Sequence, residues 1–73
     1  MKINLNQIVI LFRGKKEQSF MGIDEVILDG KSISPSLITA TDIKESSSMN
    51  LKGEGQNVAI QSSDILSFHY LGD

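Results

Sequence analysis

The chain predicts a mostly β domain, a small barrel or a strongly twisted antiparallel sheet of five or six short strands. Three observations carry this expectation. Residues 8–12 (Ile-Val-Ile-Leu-Phe) form the densest apolar run; three of the five are β-branched and one is aromatic, which favours a strand over a helix. Asp29-Gly30 stands between apolar runs and suits a two-residue hairpin turn, which needs positive φ at both central positions. Residues 65–71 are aromatic-rich and alternate Leu66, Phe68 and Tyr70 against Ser67 and His69.

From the N-terminus, Ile3 and Leu5 alternate with Lys2, Asn4 and Asn6 and begin the strand that continues through Phe12. With a period of two, Val9 and Leu11 face one way and Ile8, Ile10 and Phe12 the other. A strand apolar on both faces is central to a sheet or covered by a second layer. Residues 13–17 (Arg-Gly-Lys-Lys-Glu) are polar, contain glycine and read as a turn. Residues 18–23 form a short strand in which Gly22 marks a bulge, a bend or a close backbone approach. The Asp29-Gly30 hairpin spans 25–34. Pro35 then breaks the chain, at a sheet edge, at a strand start or as the first residue of a short helix capped by Ser34.

Residues 37–43 are rich in β-branched side chains and predict a strand with Leu37, Thr39, Thr41 and Ile43 on one face. Residues 45–50 form a surface loop that runs into a strand near Met49. Residues 53–57 form a second hairpin loop, followed by a strand over 58–61. Ser62-Ser63-Asp64 interrupts it, and 65–71 is read as a final strand in preference to a short helix stopping at Gly72. The expected core is Ile8, Ile10, Phe12, Val26, Leu28, Val58, Ile60 and Leu66.

Seventy-three residues make one domain, and a domain this short buries only about 60% of the surface its unfolded chain exposes. Small domains recover stability from disulfides, metals or self-association. There is no cysteine and one histidine, so disulfides and thiolate metal sites are excluded and a structural zinc site is disfavoured. A homo-oligomer is the expected remedy. The formal net charge of −2 argues against a general duplex-binding protein, but a small anionic ligand needs only two or three local cations. The five-residue apolar run is too short for a signal sequence or a membrane span, so no membrane association and a cytoplasmic location are expected.

Ser67, His69, Asp64 and Asp73 supply the letters of a catalytic triad. Two residues apart on a strand gives neither a nucleophile elbow nor an oxyanion hole, and with ten serines such a meeting is easily accidental. Asp24, Glu25 and Asp29 do not follow a calcium-loop spacing and read as the solvent side of a hairpin. No enzyme activity, cofactor or metal is therefore expected. Arg13, Lys15 and Lys16 form the densest basic cluster: an ordinary charged turn, or an anion clamp in which Arg grips phosphate bidentately. Phe68 and Tyr70 are core residues on the plain reading. On the functional one, a ring stacks on a base while His69 or Asn57 reads its edge.

In its small size, acidic and cysteine-free composition, and the combination of Arg13, Lys15, Lys16, Phe68, His69 and Tyr70, the chain resembles accessory proteins encoded by bacteriophages. Some of these block a host enzyme by surface contact. Others are nucleotide sponges, oligomers that sequester cyclic nucleotide immune signals in pockets between subunits. That resemblance implies a homo-oligomeric, non-catalytic protein of the host-cell cytoplasm that binds a small anionic nucleotide. The ligand set expected for it is Arg13, Lys15, Lys16, Asn57, Phe68, His69 and Tyr70, read from residue types. The competing expectations are a protein-binding inhibitor or adaptor that presents a sheet edge or an apolar face, and a small structural subunit.

Overall fold

Two sheets share one bent ribbon. In the computed structural model, which describes residues 6–72, β2 (Lys16–Met21) runs on into β3 (Ile23–Leu28) with only Gly22 between them. The Gly22 φ of 68° makes the bend, a conformation that costs glycine little. The remaining elements are β1 (Gln7–Phe12), β4 (Lys31–Ile33), a 3-10 turn at Pro35–Leu37, α1 (Ala40–Lys44), β5 (Ser48–Gly53), β6 (Gln56–Gln61), a second 3-10 turn at Ser62–Asp64, and β7 (Ile65–Leu71). Sheet A has the order β2-β1-β7 and sheet B the order β4-β3-β5-β6, with every neighbouring pair antiparallel. The mostly β class is as expected. Among the described residues the strands number seven rather than five or six, in two sheets that do not close into a barrel. The expected strand start at Ile3 and Leu5 lies outside the described residues.

The inner faces of the sheets make the core. Ile8 and Ile10 from β1 meet Ile23, Val26 and Leu28 from β3, Met49 and Leu51 from β5, and Ile43 from α1. At the bend, the two backbones come very close: a Cβ at Gly53 would collide with the Gly22 carbonyl. Asn6 seals the same corner. Its buried side chain accepts from the Ile23 N–H at 2.9 Å and donates to the Ile23 carbonyl at 2.6 Å, as a neighbouring strand's peptide would. Its own carbonyl accepts from Gly22 N–H at 3.0 Å. Sheet B is thereby joined to sheet A by polar bonds where the strand ladder stops.

The hairpin at Asp29-Gly30 is as read, with φ of 50° and 84° at the two residues. The other turns are tighter than expected. β2 already begins at Lys16, and Glu54-Gly55 alone separates β5 from β6.

Two expectations need correction. Residues 37–43 are not a strand. Pro35 opens a 3-10 turn, and α1 starts behind a capping box in which the Thr39 hydroxyl accepts from Asp42 N–H at 3.1 Å and the Asp42 carboxylate accepts from Thr39 N–H at 3.0 Å. Two paired helix-end groups and the burial of Ile43 outweigh the modest β preference of Thr and Ile. Leu66 is not core but 55% exposed. Phe12 pairs with Ile65 while Leu11 pairs with Ser67, so Leu66 is the extra residue of a bulge and Ile65 takes its inward position. Phe12, Val58 and Ile60 are half-buried against the core rather than within it.

Candidate functional site

The residues read as a ligand set lie on four different surfaces. Arg13, Lys15 and Lys16 sit at the β1–β2 turn, where all three are exposed. The Arg13 guanidinium is occupied: Nε and Nη2 both donate to the Ser63 carbonyl, at 3.2 and 2.9 Å, and the Arg13 backbone N–H donates to the Asp64 carbonyl at 2.7 Å. This arginine staples the turn to the start of β7. Phe68 and Tyr70 pair with Ile10 and Ile8 and pack inward on the core. Tyr70 lies four ladder steps, about 13 Å, along the strand from Ile65, beside which the Arg13 turn attaches. His69 points to the outer face of sheet A, opposite Val9. Asn57 pairs with Lys52 on the outer face of sheet B. The single chain therefore brings together Arg13, Lys15 and Lys16 in sequence alone, and none of them with the aromatic rings.

Ser67 and His69 share the outer face of β7, and among the described residues no hydrogen bond joins them to each other or to Asp64; Asp73 lies outside the described residues. Of the three hairpin acids, Glu25 and Asp29 are engaged apart from each other. The Ser32 hydroxyl donates to the Glu25 carboxylate, while Asp29 accepts from the N–H groups of Ser47 and Ser48 at 2.9–3.1 Å. Those backbone bonds, Ser47 first, hold the Asp29 carboxyl below its ordinary range. Among the described residues no cluster of three or more His, Asp or Glu is arranged to hold a metal ion.

Two recesses flank β7, and neither was visible from residue types alone. The first is a groove of about 290 Å³ between β7 and α1, with Ile38, Thr41 and Lys44 on one bank and Ile65, Leu66 and Phe68 on the other. The second is a polar recess of about 460 Å³ lined by Arg13, Lys44, Ser46, Ser47 and Ser63. It forms because the Ser46 hydroxyl bonds the buried Ser62 hydroxyl at 2.7 Å and so draws the loop after α1 against the 3-10 turn before β7. The two serine groups looked like a linker and a break; their meeting is a tertiary event, and only the serine count hinted at it.

No family model matches this chain, and no match is found among curated proteins or solved structures. No helix among the described residues is long and apolar enough to cross a membrane. The functional reading rests on the geometry of this chain.

Proposed function

We propose that the protein is a non-catalytic binding module that takes an extended segment of a protein partner along the free side of β7. The observation that supports this is the character of that edge. β7 is seven residues long, pairs among the described residues with β1 on one side only, and carries no carboxylate, ammonium or guanidinium group. Unguarded edges of this kind template another strand, and proteins normally blunt them with charge, shortness or cover. The β2 and β4 edges are treated that way, and β6, uncharged like β7, is tied down at its start. β2 carries Lys16 and Glu17, β4 is three residues long and begins with Lys31, and β6 is polar at both ends and tied to β2 by the Gln56 side chain, which donates to the Met21 carbonyl at 2.7 Å. The groove beside β7 offers apolar walls for one or two anchoring side chains, and Lys44 at its rim favours an acidic residue in the segment.

Selection from a displayed random-peptide library tests this reading. Selected peptides are expected to alternate apolar and polar residues, to carry an acidic position, and to lose binding when Thr41→Arg fills the groove or Leu66→Lys charges the edge. Asn57→Ala on the far sheet is the control. Peptides no tighter than about 100 μM, or indifferent to both substitutions, would overturn it.

A second reading keeps the small anionic nucleotide. It is favoured by one observation, the recess in which Arg13 and Lys44 stand with four serines. It ranks second because the Arg13 guanidinium already serves Ser63 and the Ser47 N–H already serves Asp29. Calorimetric titration with cyclic di- and trinucleotides separates the two readings: nucleotide binding lost in Lys44→Ala and kept in Lys31→Ala would put the sponge first.

A further inference from the structure

The two outer faces of this molecule are not alike. On sheet B, the outward positions are Glu25, Ile27, Ser32, Asn50, Lys52, Asn57 and Ala59, a polar surface with one large apolar side chain. On sheet A, the cross-strand rows read Met21–Gln7–Leu71, Ser19–Val9–His69 and Glu17–Leu11–Ser67. Val9 and Leu11 run down the middle half-buried without packing against the core, while Met21 and Leu71 flank one end at 51% and 52% exposure. This is the outer layer of a strand apolar on both sides, and the chain's own second sheet covers the other side.

We infer that this face docks a second copy of the chain, with a two-fold axis running along β1 between the two sheets. The axis follows from which side chains each choice would oppose. An axis along β1 keeps each row level and lays β2 over the other copy's β7. Met21 then meets Leu71 of the second copy at both ends of the row, Val9 meets Val9, and Leu11 meets Leu11. Glu17, the one carboxylate on these rows, falls over the second copy's Ser67, one row from its His69. An axis across the strands would set Met21 on Glu17 and bury a carboxylate against a thioether, which is costly without a partner. The isologous arrangement along β1 sets apolar on apolar in the Val9 and Leu11 positions and places no two carboxylates opposite each other. Three strands of about six residues span roughly 14 by 20 Å. Two such footprints come to roughly 560 Å², below the usual range of stable specific interfaces, so the dimer is weak and reversible. Ser67 borders both this face and the groove beside β7, but the dimer does not rest on the partner-binding reading.

A charge-pair exchange tests it. Sedimentation equilibrium of the full chain is expected to show a monomer–dimer equilibrium in the micromolar range. Met21→Glu and Leu71→Lys should each weaken it by about tenfold or more, and the double variant should recover most of the loss, because each Glu then faces a Lys of the other copy. Circular dichroism checks that all four proteins are folded. A folded wild-type monomer at 100 μM would overturn the inference. So would a double variant no stronger than the singles, which would put a different surface or axis in the dimer.

Discussion

Asp29 does two jobs that one substitution can separate. Its φ of 50° sits in a region that Asp and Asn tolerate better than other side chains, and its carboxylate caps the N–H groups of Ser47 and Ser48. Asp29→Asn keeps the turn preference and removes the charge. The carboxyl is held below its ordinary value in the folded state, so it favours folding above the unfolded pKa of about 4 and loses that contribution as pH falls through the lower, folded value. The wild type should therefore lose melting temperature on acidification below about pH 4. Asp29→Asn should start lower at pH 7 and show a shallower acid limb in a thermal denaturation series. Equal slopes would mean that other carboxylates account for the acid response. The Asp29-Gly30 turn was legible because its chemistry is local. The cap on Ser47 and Ser48 was not, because it joins residues eighteen and nineteen positions apart.

At the scale of elements, the strands declared themselves where apolar residues alternate or cluster, as in β1, β3 and β6. α1 did not, although Thr39 and Asp42 stand three apart in the order of a capping box. Five residues of helix give too little periodicity to outvote the four β-branched side chains of residues 37–43. The helix depends on that box, so Thr39→Ala should cost about 0.5–2 kcal/mol, read from a urea unfolding curve with unchanged slope. No loss would show that Ile43 alone holds α1 in place. The Leu66 bulge was hidden for a different reason: alternation holds over residues 67–71, but one unpaired residue at 66 reverses the face of what precedes it. The candidate site was legible in part. Arg13 does line a recess, but its partners Lys44 and Ser46 enter by way of the helix that the sequence reading missed.

At the scale of the whole molecule, the two sheets differ in how far along the chain their strands are drawn. Sheet B is built from β3 to β6, each paired with a strand near it in sequence, whereas sheet A closes only when β7 returns to β1, with Ile8 opposite Tyr70. Local ladders form with less loop-closure entropy than distant ones. Hydrogen exchange in mild denaturant should leave amides of β3 and β5 protected after those of β7 have exchanged; uniform protection would show one cooperative unit instead. The late return of β7 also bears on synthesis. As the nascent chain leaves the ribosome, residues 8–12 emerge well before the strand that completes their sheet and before the sheet that covers Ile8 and Ile10. For that interval an uncharged, β-branched segment is available to any neighbouring polypeptide. The charges of Arg13, Lys15, Lys16 and Glu17 follow it at once, and they act there as gatekeepers against aggregation.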